Sequence, residues 1–160
     1  MIASFPVMTA GCMLLVSCAT PGAKEFPRMN ETLISSIPGL STPPGYSYVA
    51  MPTGQLVFLA GQVALDQSGA VVGKGDFPAQ VQKTFANVKT ALAAAGCTPA
   101  DVFKVNYYVV DLRPERLVAI RSVRNDFFPD PKPVSTLVGV AALFHPDVLF
   151  EIEVVAAKKN

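Results

Sequence analysis

The chain has 160 residues, of which 51% are hydrophobic and 16% are charged, and its formal net charge is +1 at pH 7. It is long enough for one globular domain with a substantial core. The near balance of charge and the lack of like-charge clusters disfavour the basic surface that nucleic-acid binding needs, and three cysteines with one histidine support neither a disulfide framework nor a zinc site.

Residues 1–28 differ in composition from the rest of the chain, and their apolar part ends in Leu15-Val16-Ser17-Cys18. This tetrapeptide matches a bacterial lipobox, but a secretory signal normally begins with positive charge, and no lysine or arginine precedes it. Two hypotheses stay open. Either translation starts at Met29 and a cytoplasmic domain spans 29–160, or the extension exports the protein and anchors it through a lipidated Cys18.

The first strand is predicted over the apolar run 55–60, after the turn formers Pro52-Thr53-Gly54. Gly61 predicts a bend or bulge, beyond which a short strand continues to Leu65. A helix is then predicted from about Ala79 to Gly96, because apolar residues recur at intervals of three and four with polar residues between them. That apolar series is Val81, Phe85, Val88, Leu92 and Ala95.

Residues 103–110 are rich in aromatic and β-branched types and predict a strand. A second helix follows, with Pro114 in its first turn and a stop at Pro129-Asp130-Pro131. Its apolar face is lined by Leu117, Ile120, Val123 and Phe127. The runs 135–143 and 148–157, joined by a turn at Phe144-His145-Pro146-Asp147, predict a β-hairpin at the end of the domain.

This order of elements predicts an α+β fold, in which a mixed sheet is covered on one face by two helices. The other face is expected to carry Tyr107 or Tyr108, Leu137, Glu151 and Val155. Such a surface is too apolar to stay in water. We therefore expect copies of the chain to associate through it.

Five segments, taken in order, resemble the successive signatures of the YjgF/RidA family. They are Pro44-Gly45-Tyr46-Ser47, Leu59-Ala60-Gly61-Gln62-Val63, Phe85-Ala86-Asn87-Val88, Ser135-Thr136-Leu137-Val138-Gly139-Val140 and Glu151-Ile152-Glu153. The resemblance covers nearly the whole domain. It implies a chorismate-mutase-like subunit in a homotrimer with a central β-barrel and small-molecule clefts between subunits. It also implies hydrolysis of enamines or imines to a carbonyl compound and ammonia, without metal or cofactor.

Carried over by position, the resemblance implies substrate contacts at Tyr46 and at the Ala60-Gly61 backbone. Glu151 matches the glutamate that positions the hydrolytic water. The substrate-binding arginine of the family falls on Ser135, and the cysteine two residues later falls on Leu137. A serine hydroxyl cannot reproduce the bidentate grip of a guanidinium on a carboxylate, so 2-imino acids should be poor substrates.

Each candidate also has an ordinary structural interpretation. Glu151 is either a general acid/base or an acidic residue at a subunit interface. Tyr46 either contacts ligand or caps a strand edge, and Ser135 is either a ligand contact or a polar residue suited to a strand. Arg121 either enters the cleft as a substrate-binding cation or belongs, with Arg124, to a solvated helix face.

Two functional hypotheses follow. One is a diverged imine or enamine deaminase in which Glu151 steers water, and the other is a trimer that binds or scavenges a small ligand without catalysis. RNA cleavage is disfavoured, because the chain has no basic stripe.

Overall fold

The computed structural model describes residues 33–158 of the chain. The hypotheses on Cys18 and on a start at Met29 concern residues outside this range. In the described range no helix combines the length and apolar character that crossing a membrane requires.

A four-stranded mixed sheet forms the centre of the molecule, with two α-helices packed on one face of it within residues 33–158. The strands are β1 (Leu33–Ile34), β2 (Val49–Ala50), β3 (Gln55–Val63), β4 (Val102–Val110), β5 (Val134–Val140) and β6 (Phe150–Lys158), and the helices are α1 (Phe77–Ala94) and α2 (Pro114–Phe127). The sheet order is β3-β6-β4-β5, and β1 and β2 form a separate antiparallel pair. These observations confirm the predicted α+β architecture.

Both helices lie where the periodicity predicted them. Asp76 caps α1 by accepting a hydrogen bond from the Ala79 N–H at 3.0 Å, and Pro78 occupies the first turn, where its missing N–H costs nothing. Pro114 plays the same part in α2. The apolar faces of the two helices cover the sheet and enclose an aromatic core of Phe85, Tyr107, Phe127, Phe128 and Phe150.

The predicted hairpin of the last two strands is wrong. β5 pairs in parallel with β4 at the edge of the sheet, and β6 lies between β3 and β4, antiparallel to both. The reason is the α2 crossover, because a helix that joins β4 to the next strand returns the chain in the parallel direction. The segment 141–149 then carries the chain past β4 to the centre of the sheet, where the Val110 N–H donates to the Leu149 carbonyl.

Two side-chain amides, that of the buried Gln80 and that of the half-buried Asn87, hold the connections that lie beside the sheet. The Gln80 side chain donates to the carbonyls of Gly73 and Asp147 and accepts from the Leu149 N–H, which ties the 141–149 segment to α1. Asn87 donates to the carbonyls of Val63 and Leu65, at 2.8 and 2.9 Å. The polar residues of α1 thus fix the loops that follow β3 and precede β6.

The two faces of the sheet are now assigned by register. The covered face, which packs on the helices, carries Val105, Tyr107 and Val109 of β4, and their β5 partners Ser135, Leu137 and Gly139. The open face carries Asn106 and Tyr108 of β4, Val138 of β5, Glu151, Glu153 and Val155 of β6, and Phe58 of β3. Tyr108 rather than Tyr107 is therefore the open-face tyrosine, and the placement of Leu137 on the open face is wrong.

Candidate functional site

A cleft of about 310 Å³ lies between α2, the edge strand β5 and the segment that precedes β2. It brings together four of the residues singled out from the sequence, Tyr46, Arg121, Ser135 and Leu137, and it is completed by Pro44, Leu117, Ile120 and Arg124. We call it the α2–β5 cleft. Its volume is near the lower end for ligand pockets, so a small molecule fits it.

The wall that carries Tyr46 is fastened to β5 by its neighbour Ser47. Ser47 is buried, its hydroxyl donates to the Lys132 carbonyl at 2.6 Å, and its N–H donates to the Pro133 carbonyl at 3.2 Å. The Tyr46 ring packs edge-on against Tyr48, with 5.6 Å between the ring centroids. These contacts hold the Tyr46 ring beside Ser135 at the start of β5.

Arg124 is the residue that the sequence analysis missed, since it was grouped there with a solvated helix face. It is half-buried and lines the cleft together with Arg121, three residues earlier on α2. Residues three and four apart share one helix face, so Leu117, Ile120 and both arginines point the same way. This spacing is the sequence signal that could have placed Arg124 on the same helix face as Arg121.

The Arg124 guanidinium also lies against the backbone of Gly45, where a Cβ would overlap its Nη2 atom. Its Nη2 donates to the Asn125 side chain at 3.1 Å, whereas its buried Nε has no hydrogen-bond partner among residues 33–158. The buried hydroxyl of Tyr107 is likewise without a partner in that range. Burial raises the pKa of Tyr107 above its usual range, and the positive charge of Arg124 opposes that shift.

Glu151 does not lie in this cleft. It stands on the open face of β6, two strands from the β5 edge, and its carboxylate lies directly against Gly61 on β3. The strand register shifts between Leu59 and Gln62, which confirms the bulge predicted at Gly61. A Cβ at position 61 would overlap the Glu151 carboxylate, so the Ala60-Gly61 bulge is what lets this carboxylate reach the neighbouring strand.

A polar group surrounds Glu151 on the open face. Glu153 accepts hydrogen bonds from the Asn106 amide at 2.8 Å and from the Tyr108 hydroxyl at 3.2 Å. Burial, and then the negative charge of Glu153, raise the pKa of Glu151 above its usual value. Burial and the bond to Glu153 also raise the pKa of Tyr108. A raised pKa in a carboxyl group is one mark of a candidate for proton transfer.

The structure therefore divides the predicted site into two parts on opposite faces of the sheet. Tyr46, Ser135, Leu137 and Arg121 line the α2–β5 cleft, whereas Glu151 and the Ala60-Gly61 bulge lie on the open face. No group of three or more His, Cys, Asp or Glu side chains in the described part of the chain is placed to hold a metal ion.

Comparison with known proteins gives a consistent family assignment. The family model described as Endoribonuclease L-PSP matches residues 39–158. A RutC family protein of Pyrococcus abyssi is 34% identical over 110 residues, covering 69% of this chain and 84% of the relative. A 2-iminobutanoate/2-iminopropanoate deaminase of Dermatophagoides farinae is 31% identical over 115 residues, covering 72% of this chain and 88% of the relative.

Among solved structures, a Rid family protein of Yersinia pestis superposes with a TM-score of 0.71 at 35% sequence identity. The match covers 79% of this chain and 99% of that protein. The two helices on a mixed sheet are thus shared with that structure.

Proposed function

The chain belongs to the YjgF/RidA family, and from this premise we propose that it is a hydrolase of small imines or enamines that works without metal or cofactor. The observation that supports catalysis best is Glu151, whose carboxylate has a raised pKa and is held against the Gly61 backbone. The proposed reaction releases ammonia and a carbonyl compound.

In the proposed mechanism Glu151 accepts a proton from water while the water oxygen bonds to the imine carbon. The nitrogen takes up a proton from solvent as the carbinolamine forms, and Glu151 then passes its own proton to that amine. The carbon–nitrogen bond breaks and ammonia leaves, while the carbinol hydroxyl loses its proton to water as the carbonyl forms. An enamine first tautomerises to the imine. Positioned proton transfer of this kind contributes about 10² to 10⁴ in rate.

We further propose that the catalytic site forms between copies of the chain in a homotrimer. Glu151 and the α2–β5 cleft lie on opposite faces of one sheet, so a ligand in the cleft cannot reach the Glu151 of its own chain. Phe58 is 72% exposed and Val138 is 40% exposed, both on the face that carries Glu151. Covering this face with a second copy buries apolar surface and allows the cleft of one chain to meet the Glu151 of another.

The substrate range is proposed to differ from that of relatives named as imino acid deaminases. The resemblance places Ser135 at the position of the family's substrate-binding arginine, Ser135 lines the cleft, and a hydroxyl does not hold a carboxylate in the same bidentate way. Substrates that depend on this position, such as 2-iminopropanoate, should therefore react slowly. RNA cleavage is not proposed, since a net charge of +1 provides no basic binding surface.

The second candidate is a trimer that binds or scavenges a small ligand. Carried over by position, the resemblance implies that Ser135 and Leu137, which both line the cleft, depart from the family pattern, whereas Glu151 follows it. Under this hypothesis the cleft binds its ligand and Glu151 contributes only to the subunit interface.

The test is ammonia release from a panel of imines generated in situ, measured with wild-type protein, Glu151→Gln and Glu115→Gln. We expect Glu151→Gln to lower kcat by a factor of about 10² or more. Glu115→Gln is the matched control, because Glu115 is an exposed glutamate in the first turn of α2, and it should retain most of the activity. Wild-type protein that hydrolyses nothing in the panel would favour the binding hypothesis, and an active Glu151→Gln protein would remove Glu151 from the mechanism.

A further inference from the structure

Arg121 and Arg124 place two positive charges in the α2–β5 cleft. Neither arginine forms a salt bridge with any residue between 33 and 158. Arg124 is half-buried with its Nε unpartnered in that range, and Arg121 stands at the exposed rim. Unpaired charge in a partly desolvated cleft is costly, and an anion bound there relieves both that cost and the repulsion between neighbouring cations.

The spacing of the two arginines limits the anion. Residues three apart on a helix have Cβ atoms about 5–6 Å apart, so the two guanidinium groups can each hold one end of a short ligand. The lining of the cleft also includes apolar side chains, Leu117 and Ile120 from α2 and Leu137 from β5. Methylene groups fit such a wall, whereas a compact ion such as phosphate leaves it uncovered.

Two further features orient the inner end of the ligand. Gly45 lets the guanidinium of the half-buried Arg124 lie against the backbone of the opposite wall, and we call this more buried end of the cleft its floor. Ser135 also lines the cleft, and its hydroxyl can donate to a carboxylate oxygen. A planar guanidinium binds a carboxylate in bidentate fashion, which an ammonium group cannot do.

We propose that the α2–β5 cleft binds a short dicarboxylate, with Arg124 holding one carboxylate at the floor and Arg121 holding the other at the rim. The helix α2 thus supplies the anion-binding cations that β5 lacks at Ser135. This inference rests on the small-molecule cleft of the proposed function, but it does not depend on the hydrolysis step. It narrows the substrate class to compounds with two acidic groups.

The test is isothermal titration of the full-length protein with succinate, and with propionate as the monocarboxylate. We expect succinate to bind at least about tenfold more tightly than propionate. Arg124→Gln should weaken succinate binding about thirtyfold, which is about 2 kcal/mol at 1.36 kcal/mol per tenfold. Arg121→Gln should reduce succinate to the affinity of propionate, and Arg124→Lys should give an intermediate loss.

The matched control is Arg113→Gln, an exposed arginine just before α2 whose guanidinium pairs with Asp111 outside the cleft. It should bind succinate like wild type. Equal wild-type affinity for succinate and propionate would overturn the proposal, as would a folded Arg124→Gln protein with unchanged affinity. Tighter binding of inorganic phosphate than of succinate would also overturn it, because the assignment to a dicarboxylate would fail.

Should Arg124→Gln fail to fold, the succinate-to-propionate ratio of wild type and Arg121→Gln still decides the question. The outcome is separate from the fate of the hydrolase proposal. Succinate binding without turnover of any imine would leave this inference standing and exclude catalysis. Turnover that depends on Glu151, without any preference for dicarboxylates, would support catalysis and overturn this inference.

Discussion

The two faces of the central sheet differ in how completely the chain itself covers them. On the covered face Tyr107, Phe150 and Ile152 are almost fully buried under the helices. On the open face Phe58 remains 72% exposed beside the hydrogen-bonded group of Asn106, Tyr108 and Glu153. One face thus stabilises the single chain, and the other is the face through which we propose that copies associate.

This contrast also separates ligand binding from proton transfer. The arginines stand on a helix, beside the covered face, where their positions follow from the packing of α2. Glu151 stands on the open face, where a bulge in β3 makes room for it. Under the proposed function a complete site needs both, so assembly of copies would be a condition for catalysis.

The largest expected effect is that of Phe85→Ala on the covered face. Phe85 is 2% exposed and contacts the aromatic rings of Tyr107, Phe127, Phe128 and Phe150. Truncating such a side chain costs about 3–5 kcal/mol of unfolding free energy. Urea unfolding measures this, with the exposed Phe144→Ala as control, which should cost within about 0.5 kcal/mol. Equal losses in the two variants would contradict the assignment of the core.

Phe58→Asp tests the open face and should have the next largest effect. A carboxylate placed in an apolar contact between copies loses its water without gaining a partner, so the assembly should dissociate into folded single chains. Light scattering gives the mass and circular dichroism the fold. Val118→Asp is the control, because Val118 is similarly exposed, at 65%, but stands on α2. Dissociation by both variants, or by neither, would break the proposed link between this face and assembly.

Gly45→Ala should disturb the cleft and should have a smaller effect, which is a loss of succinate affinity. Gly45 has a φ of +143° and a Cβ there would overlap the Arg124 guanidinium, whereas Gly39, with a φ of +89°, has nothing within 4 Å of such a Cβ. Both substitutions strain the backbone by about 1–2 kcal/mol. Titration should show succinate affinity lowered about tenfold in Gly45→Ala alone. The same loss in Gly39→Ala would mean that strain, rather than displacement of Arg124, is responsible.

The smallest effect is expected for the stability of Glu151→Gln. Burial and Glu153 raise the pKa of Glu151, so the folded chain holds that proton more tightly than the unfolded chain does. Stability of wild type should therefore fall as pH rises from the usual value of 4.5 through the raised value. The glutamine variant lacks this fall. Thermal unfolding should give it the higher Tm at pH 7 and a smaller advantage at pH 4, and a lower Tm at pH 7 would contradict the raised pKa.

Much of the fold could be predicted from the periodicity of apolar residues and from the positions of proline and glycine. Apolar spacing of three and four with proline at the start located both helices, Gly61 located the bulge, and alternation in 150–154 located the faces of β6. These features are local. They are fixed by backbone geometry and by neighbours within a few residues.

The predictions that were wrong concern features that depend on contacts between distant segments. A hairpin of 135–143 with 148–157 is locally reasonable, and only the parallel pairing imposed by α2 excludes it. The face of Leu137 followed from the same error, since it is set by its register with Tyr107. Arg124 looked like a surface residue because nothing in the local sequence reveals that Gly45 and Ser135 lie opposite it.

The placement of both arginines on the crossover helix has a consequence for how specificity can be altered. The residues of β5 form a backbone hydrogen-bond ladder with β4, so substitutions there risk the pairing of an edge strand. Positions 121 and 124 lie on α2 and make no contribution to that ladder. Recognition can therefore be redesigned by libraries at these two helical positions while the sheet stays constant. Under the two proposals, ligand choice is a property that single codon changes in α2 retune, while Glu151 on the other face stays undisturbed.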